Sequence, residues 1–210
     1  MSEATDDHAA GGTRLGPVLT SERLLLRRWS HVDAAPFAAM NADPEVMRYF
    51  VAPLDRAASD GLMRRIEEQF DRCGYGLWAL EERETSELLG FTGLIEQTFE
   101  AHFTPAVEIG WRLRRSAWGH GFATEAARVA LAYAFGPADL TEVVSMTTRT
   151  NAASQAVMKR LGMTCSPDDD FEHPRLPPGH RLRPHVLHRL TRRQWQAQGG
   201  LIGLPKNLLS

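Results

Sequence analysis

Glycines at 119 and 121 stand where a strand-like run, Glu108-Ile-Gly-Trp-Arg-Leu113, has just ended and a long helical pattern is about to begin. Glycine lets the chain turn tightly and bring successive N–H groups to one side. The first turn of the following helix adds N–H donors with no carbonyl partner, together with the positive end of the helix dipole. A strand–loop–helix junction of this kind can receive a phosphate or pyrophosphate. The same glycines would equally serve a tight turn with no ligand, because short Gly motifs are common. Two nucleotide signatures fail. No Gly-Lys-Ser/Thr closes the loop, as a P-loop requires, and Thr124 stands where a dinucleotide fingerprint needs its third small residue.

Four histidines, His173, His180, His185 and His188, gather near the end of the sequence. No cysteine accompanies them. On a strand, His185 and His188 point to opposite faces, so no metal site is expected. Trp29, Trp78 and Trp195 read as core or interface residues.

The elements that must position these groups follow from periodicity. Residues 1–18 are rich in Ala, Gly, Thr and Asp and read as a disordered tail. Leu24 to Leu26 make a first strand, and Asp33 is expected to cap a short helix through Met40. Leu62, Ile66 and Phe70 mark one face of a helix over 56–73, stopped by Gly74 and Gly76. Strands are expected at 77–82, 88–96 and 107–113, then a helix over 121–135 ending at Gly136-Pro137. Within it Phe122, Ala126, Val129, Ala130 and Tyr133 form one stripe. A strand at 143–148, a helix from Asn151 to Leu161, an irregular stretch from Asp168 and a strand at 184–190 complete the domain. A short helix over 192–198 precedes a tail at 199–210. A meander followed by β-α-β-α-β implies an α/β fold with a mixed sheet flanked by helices, in one domain spanning 19–198.

Composition narrows the class. The chain has 210 residues with a formal net charge of −2, which gives no reason to expect nucleic acid as a partner. Cys73 and Cys165 are far apart, the opening lacks a charged-then-apolar signal pattern, and no apolar stretch approaches a membrane span. A reducing cytoplasm and no membrane partner are the expectation.

The segment Trp118-Gly-His-Gly-Phe-Ala123 resembles motif A of the GNAT N-acetyltransferases, whose loop reads Gln/Arg-x-x-Gly-x-Gly/Ala. Trp118 replaces the usual Gln or Arg. With Glu-Ile-Gly-Trp upstream and Ala-Thr-Glu-Ala downstream, it is similar to the RimJ/RimL ribosomal-protein branch. Two further segments agree: Asn151-Ala-Ala-Ser154 through Leu161-Gly162-Met163, and Thr20-Ser-Glu-Arg-Leu-Leu-Leu-Arg27. The resemblance covers about residues 20–190. It implies a mostly antiparallel sheet of about seven strands, splayed between the fourth and fifth, with the pantetheine arm of acetyl-CoA (or another short acyl-CoA) in the gap.

On this resemblance, the cofactor is held by Leu113, Trp118, Gly119, His120, Gly121, Phe122, Ala123, Thr124, Asn151 and Ser154, with no metal. A backbone N–H at or beside Leu113 serves as oxyanion donor. Ser154 can donate to the departing thiolate, or can simply be a helix-capping serine. Met158 matches the tyrosine of many relatives, and a thioether cannot donate a proton, so weight passes to Ser154 or water. Glu108 can take the amine proton, or can pair structurally with an arginine or a loop amide. Glu125 reads as structural. Some of the four histidines would line the acceptor pocket. The acceptor is a primary amine, either a protein N-terminus or a small molecule, and a homodimer and a non-catalytic acyl-CoA sensor both remain open.

Overall fold

The computed structural model describes residues 17–200. Of the expected tails at 1–18 and 199–210, residues 1–16 and 201–210 lie outside the described part. Pro17 and Val18 are described, and the Pro17 carbonyl accepts a hydrogen bond from the Trp78 indole at 2.8 Å.

Among the described residues nine strands share one sheet: β1 (Leu19–Thr20), β2 (Leu24–Arg27), β3 (Leu77–Glu82), β4 (Leu88–Gln97), β5 (Ala106–Leu113), β6 (Glu142–Thr148), β7 (Thr164–Cys165), β8 (Phe171–Glu172) and β9 (Pro184–Thr191). Their spatial order is β1-β2-β3-β4-β5-β6-β9-β7, with β8 also on β9. All pairings are antiparallel except β5 with β6. Three strands, β1, β7 and β8, are two residues long. This is why the sheet exceeds the expected seven. Two residues cannot display an alternating pattern, and they become strands by pairing with longer ones, as Phe171 does with His185.

The helices are α1 (Ala34–Ala42), α2 (Arg56–Cys73), α3 (Phe122–Phe135), α4 (Ala152–Arg160) and α5 (Arg192–Ala197). Asp55 caps α2 by accepting the Ala58 N–H at 2.8 Å, and Gly74 closes it. The expected cap by Asp33 is not made. Its carboxylate instead takes two bonds from the Arg27 guanidinium, at 2.7 and 2.9 Å, and the Ser30 N–H at 2.8 Å. A half-buried arginine fork outcompetes a local helix amide because the pair is charge-assisted. α3 is buried on more than one stripe, since Ala127, Leu131 and Ala134 are as enclosed as Ala126 and Ala130. It is the central helix, covering β4 and β5.

The parallel step from β5 to β6 needs a crossover, and α3 supplies it. β4 and β5 pair at eight positions, from Gly90↔Leu113 to Gln97↔Ala106. β5 and β6 meet only at Glu108↔Val144. From that rung towards Leu113 the two strands part, and the sheet opens.

Candidate active site

Arg114 donates its backbone N–H to the Leu89 carbonyl at 2.8 Å. Hydrogen bonding alternates along a strand, so the N–H groups of Trp111 and Leu113 point the other way, into the opening beside β6. A cavity of about 1810 Å³ follows this opening, bordered by β5, β6, α4 and the start of α3. Pockets for one small ligand usually measure roughly 300–1,000 Å³. This cavity is larger than one such ligand needs.

At one end lies the glycine loop. Gly119 and Gly121 both adopt φ of 82°, a left-handed conformation that side chains rarely take. A Cβ on Gly119 would meet nothing within 4 Å, and one on Gly121 only the tip of Arg23 at 3.7 Å. The loop is therefore not glycine-rich for want of packing space. It is shaped to leave backbone bare at the start of α3, where no side chain caps the helix. The Trp118 indole donates to the Leu113 carbonyl at 2.9 Å and pins the loop to the end of β5.

Glu125, in the first turn of α3, accepts the Ser21 hydroxyl at 2.7 Å and the Arg23 backbone N–H at 3.1 Å. The Arg23 guanidinium adds bonds of 2.8 and 2.5 Å. Burial would raise its pKa, but the bonds from Ser21 and Arg23 outweigh it and hold the carboxyl below the usual range. This clasp ties β2 to the loop.

At the opening itself sits Glu108, half-buried and lining the cavity. Gln97 donates to its carboxylate at 2.6 Å. Burial pushes its pKa up to about 7, against the lowering effect of Gln97 and the Met146 backbone N–H. Among the described residues no cation takes part in that balance. Its amide partner comes from the end of strand β4 rather than from a loop, and among the described residues no arginine pairs with it. A carboxylate poised near neutrality can accept a proton and release it again.

Facing it, Asn151 caps α4. Its Oδ1 accepts the Ser154 N–H at 3.2 Å, which fixes the amide so that Nδ2 donates to Thr147 Oγ1 at 3.0 Å and Ser154 Oγ at 3.1 Å. Because Ser154 Oγ is already an acceptor, its own hydrogen is free to turn into the cavity. Met158 also borders the cavity and is almost wholly buried.

The profile of the acetyltransferase (GNAT) domain family matches residues 23–164. The chain belongs to that family. It is 31% identical over 146 residues to the protein YkkB of Bacillus subtilis (strain 168), covering 69% of this chain and 84% of that one. It is 28% identical over 188 residues to the FsC-acetyl coenzyme A-N(2)-transacetylase of Aspergillus fumigatus, covering 85% of this chain and 78% of the relative. A RimL ribosomal L7/L12 α-N-protein acetyltransferase structure in complex with coenzyme A superposes with a TM-score of 0.68. It covers 83% of this chain and 98% of its own at 15% identity, a likeness of fold alone. The GNAT chain described here is an N-acetyltransferase.

Of the residues singled out in its sequence, Leu113, Trp118, Gly119, Gly121, Phe122, Ala123, Thr124, Asn151, Ser154 and Glu108 border the one cavity. His120 does not. Its ring stacks on Phe122 at 5.7 Å and its carbonyl is taken by Arg23 at 3.1 Å, so it buttresses the loop from outside. His173 and His185 line the opposite wall, with ring centroids 4.9 Å apart, while His188, on β9, is buried and does not border the cavity. Burial, with the nearby His185 and Arg175, pushes the His173 pKa down to about 4. Trp29, Trp78 and Trp195 are all core. Among the described residues no group of three or more His, Cys, Asp or Glu is placed to hold a metal ion, and no helix is long and apolar enough to cross a membrane.

Sequence reasoning missed the 43–55 loop, which brings Tyr49 and Phe50 to the cavity, and Arg112 beneath it. No local sequence signal marks them; in the structure Phe50 and Val51, with Trp118, are large apolar residues left exposed at the cavity.

Proposed function

We propose that this GNAT enzyme transfers the acetyl group of acetyl-CoA directly to the α-amine of a peptide or protein N-terminus, as in the RimJ/RimL branch. The observation that carries the reading is Glu108, a carboxylate with a pKa near neutrality at the only rung joining β5 to β6.

The bare loop from Gly119 to the first turn of α3, through Thr124, holds the pyrophosphate, and the opening between β5 and β6 takes the pantetheine arm. The Leu113 N–H, aimed into that opening, stabilises the oxyanion as the amine attacks the thioester carbonyl. The N–C bond forms and the C–S bond breaks. Glu108 accepts the proton lost by the amine, directly or through water, and Ser154 gives its hydroxyl proton to the sulfur and regains one from solvent. Asn151 holds that hydroxyl in its donating orientation.

Amine acidity supports an α-amine acceptor. The nucleophile must be neutral, and an N-terminal amine, with a pKa near 7.7–8.0, is neutral far more often than a lysine near 10.4. A base with a pKa of about 7 suits the former. The test is CoA-thiol release with acetyl-CoA and a panel of amines, where N-terminal peptides should give the highest kcat/KM. A protein that binds acetyl-CoA but never releases thiol would be a sensor instead.

A further inference from the structure

On the cavity side of β5 the residues are Glu108, Gly110 and Arg112, since side chains of a strand alternate. A Cβ built on Gly110 would meet nothing within 4 Å, so the floor between the two charged residues is open. Their Cα atoms are separated by roughly 13 Å, four residues of extended strand.

Arg112 is unlike the other arginines of the interior. Arg27, Arg28 and Arg189 each pair with two carboxylates. Arg112 has no carboxylate among the described residues. Its Nη1 donates to Asn41 Oδ1 at 2.6 Å, and its Nε is buried without a partner. The guanidinium lies 4.0 Å from the Phe50 ring centroid and 5.2 Å from that of Phe91, so two aromatic rings fix its position beneath the cavity. Burial with no counter-charge pushes its pKa down to about 10. Arg175, on the facing wall, lies over Phe99 at 5.5 Å and likewise has no acidic partner among the described residues.

A cavity end that must receive an amine, yet presents two uncompensated arginines, is arranged for more than the amine. An uncompensated, half-desolvated guanidinium is costly, and an anion supplied by a ligand removes that cost. We propose that Arg112 selects the acceptor by pairing with a carboxylate several bonds from the reacting amine, with Gly110 leaving room for the atoms between. The inference rests on the acyltransferase reading of the site. An N-terminus followed by an acidic residue and a small amino acid with a distant carboxylate share this chemistry.

The test compares binding of acetylated products, which needs no turnover. Calorimetric titrations with CoA present would use N-acetyl-Ser-Glu-amide against N-acetyl-Ser-Gln-amide for the peptide source. For the small-molecule source they would use 6-acetamidohexanoate against its amide. In the wild type the acid of at least one pair should bind about tenfold or more tightly, the scale of a charge-assisted bond in a partly dry site. In Arg112→Gln, which can keep the bond to Asn41, that ratio should fall towards one while the melting-temperature rise caused by CoA stays. Arg112→Lys, with the charge but not the planar fork, should fall between, and it decides the matter if the Gln variant does not fold. Equal binding of acid and amide to the wild type, or an acid preference that survives in either variant at full size, overturns the proposal. Acid-selective binding that is lost in the Arg112 variants, with no thiol released from acetyl-CoA, would refute the acetyl-transfer reading and leave Arg112 as a carboxylate-binding group.

Discussion

Replacing Glu108 by Gln tests the electrostatics of the opening through stability as well as activity. The folded pKa of Glu108 is about 7, above the ordinary 4.5, because burial favours the neutral acid. A raised carboxylate pKa means that the folded state holds its proton more tightly than the unfolded chain. Glu108 therefore costs nothing below pH 4.5, and its cost accumulates as pH rises from there to about 7. The two pKa values imply a loss of about 2.5 kcal/mol between pH 5 and pH 8. Solvent entering the cavity reduces this, so about 1–2.5 kcal/mol is expected. Glutamine resembles the protonated acid, can still accept the Gln97 bond, and does not titrate. Urea unfolding of both proteins at pH 5 and pH 8 isolates the group, because carboxylates with lowered pKa values, such as Asp33, Glu125 and Asp169, titrate alike in both. The Gln variant should gain on the wild type by that amount at pH 8 relative to pH 5. If the difference between the two proteins is the same at both pH values, Glu108 is not the near-neutral group described.

In catalysis the wild-type kcat/KM should rise with pH through an apparent pKa of about 7, and Glu108→Gln should displace that rise to higher pH without abolishing activity; a wild-type profile in the variant would remove Glu108 as the base. Ser154→Ala should lower kcat by about 10–100-fold and leave the CoA-induced rise in melting temperature intact, since Asn151 keeps its bond to Thr147. An unchanged kcat would assign thiolate protonation to water. Gly121→Val should abolish the CoA-induced rise, because φ of 82° disfavours a β-branched residue and its side chain would stand over the bare loop. The circular dichroism spectrum of the apo variant shows whether the fold survives, and normal CoA binding would refute the loop assignment.

Much of this site is legible in the sequence because its parts are local. The glycine loop lies within a few residues of the helix it opens, and Asn151 reaches Ser154 within a single turn. The period of Leu62, Ile66 and Phe70 likewise needed nothing beyond its own helix. What escaped was tertiary. Asp33 has the type and place of a cap, but Arg27 claims it. Arg23 meets Glu125 across 102 residues, so neither neighbourhood shows the clasp. Strand β4 runs one residue further than its alternation suggests, to Gln97, and that residue holds Glu108. Arg112 reads in sequence as one more strand arginine beside the motif. Only Asn41 and Phe50, brought in from α1 and the loop after it, show that it is held without a counter-charge.

Direct acetyl transfer to an α-amine is open to test in one reaction. The protein would be incubated with acetyl-CoA and a peptide carrying both a free N-terminus and an internal lysine, with tandem mass spectrometry of the peptide and titration of the released thiol. A single acetyl group is expected on the N-terminal nitrogen, matched by an equal amount of free CoA. Acetylation that favours the lysine, or thiol release with no acetylated peptide, would contradict it.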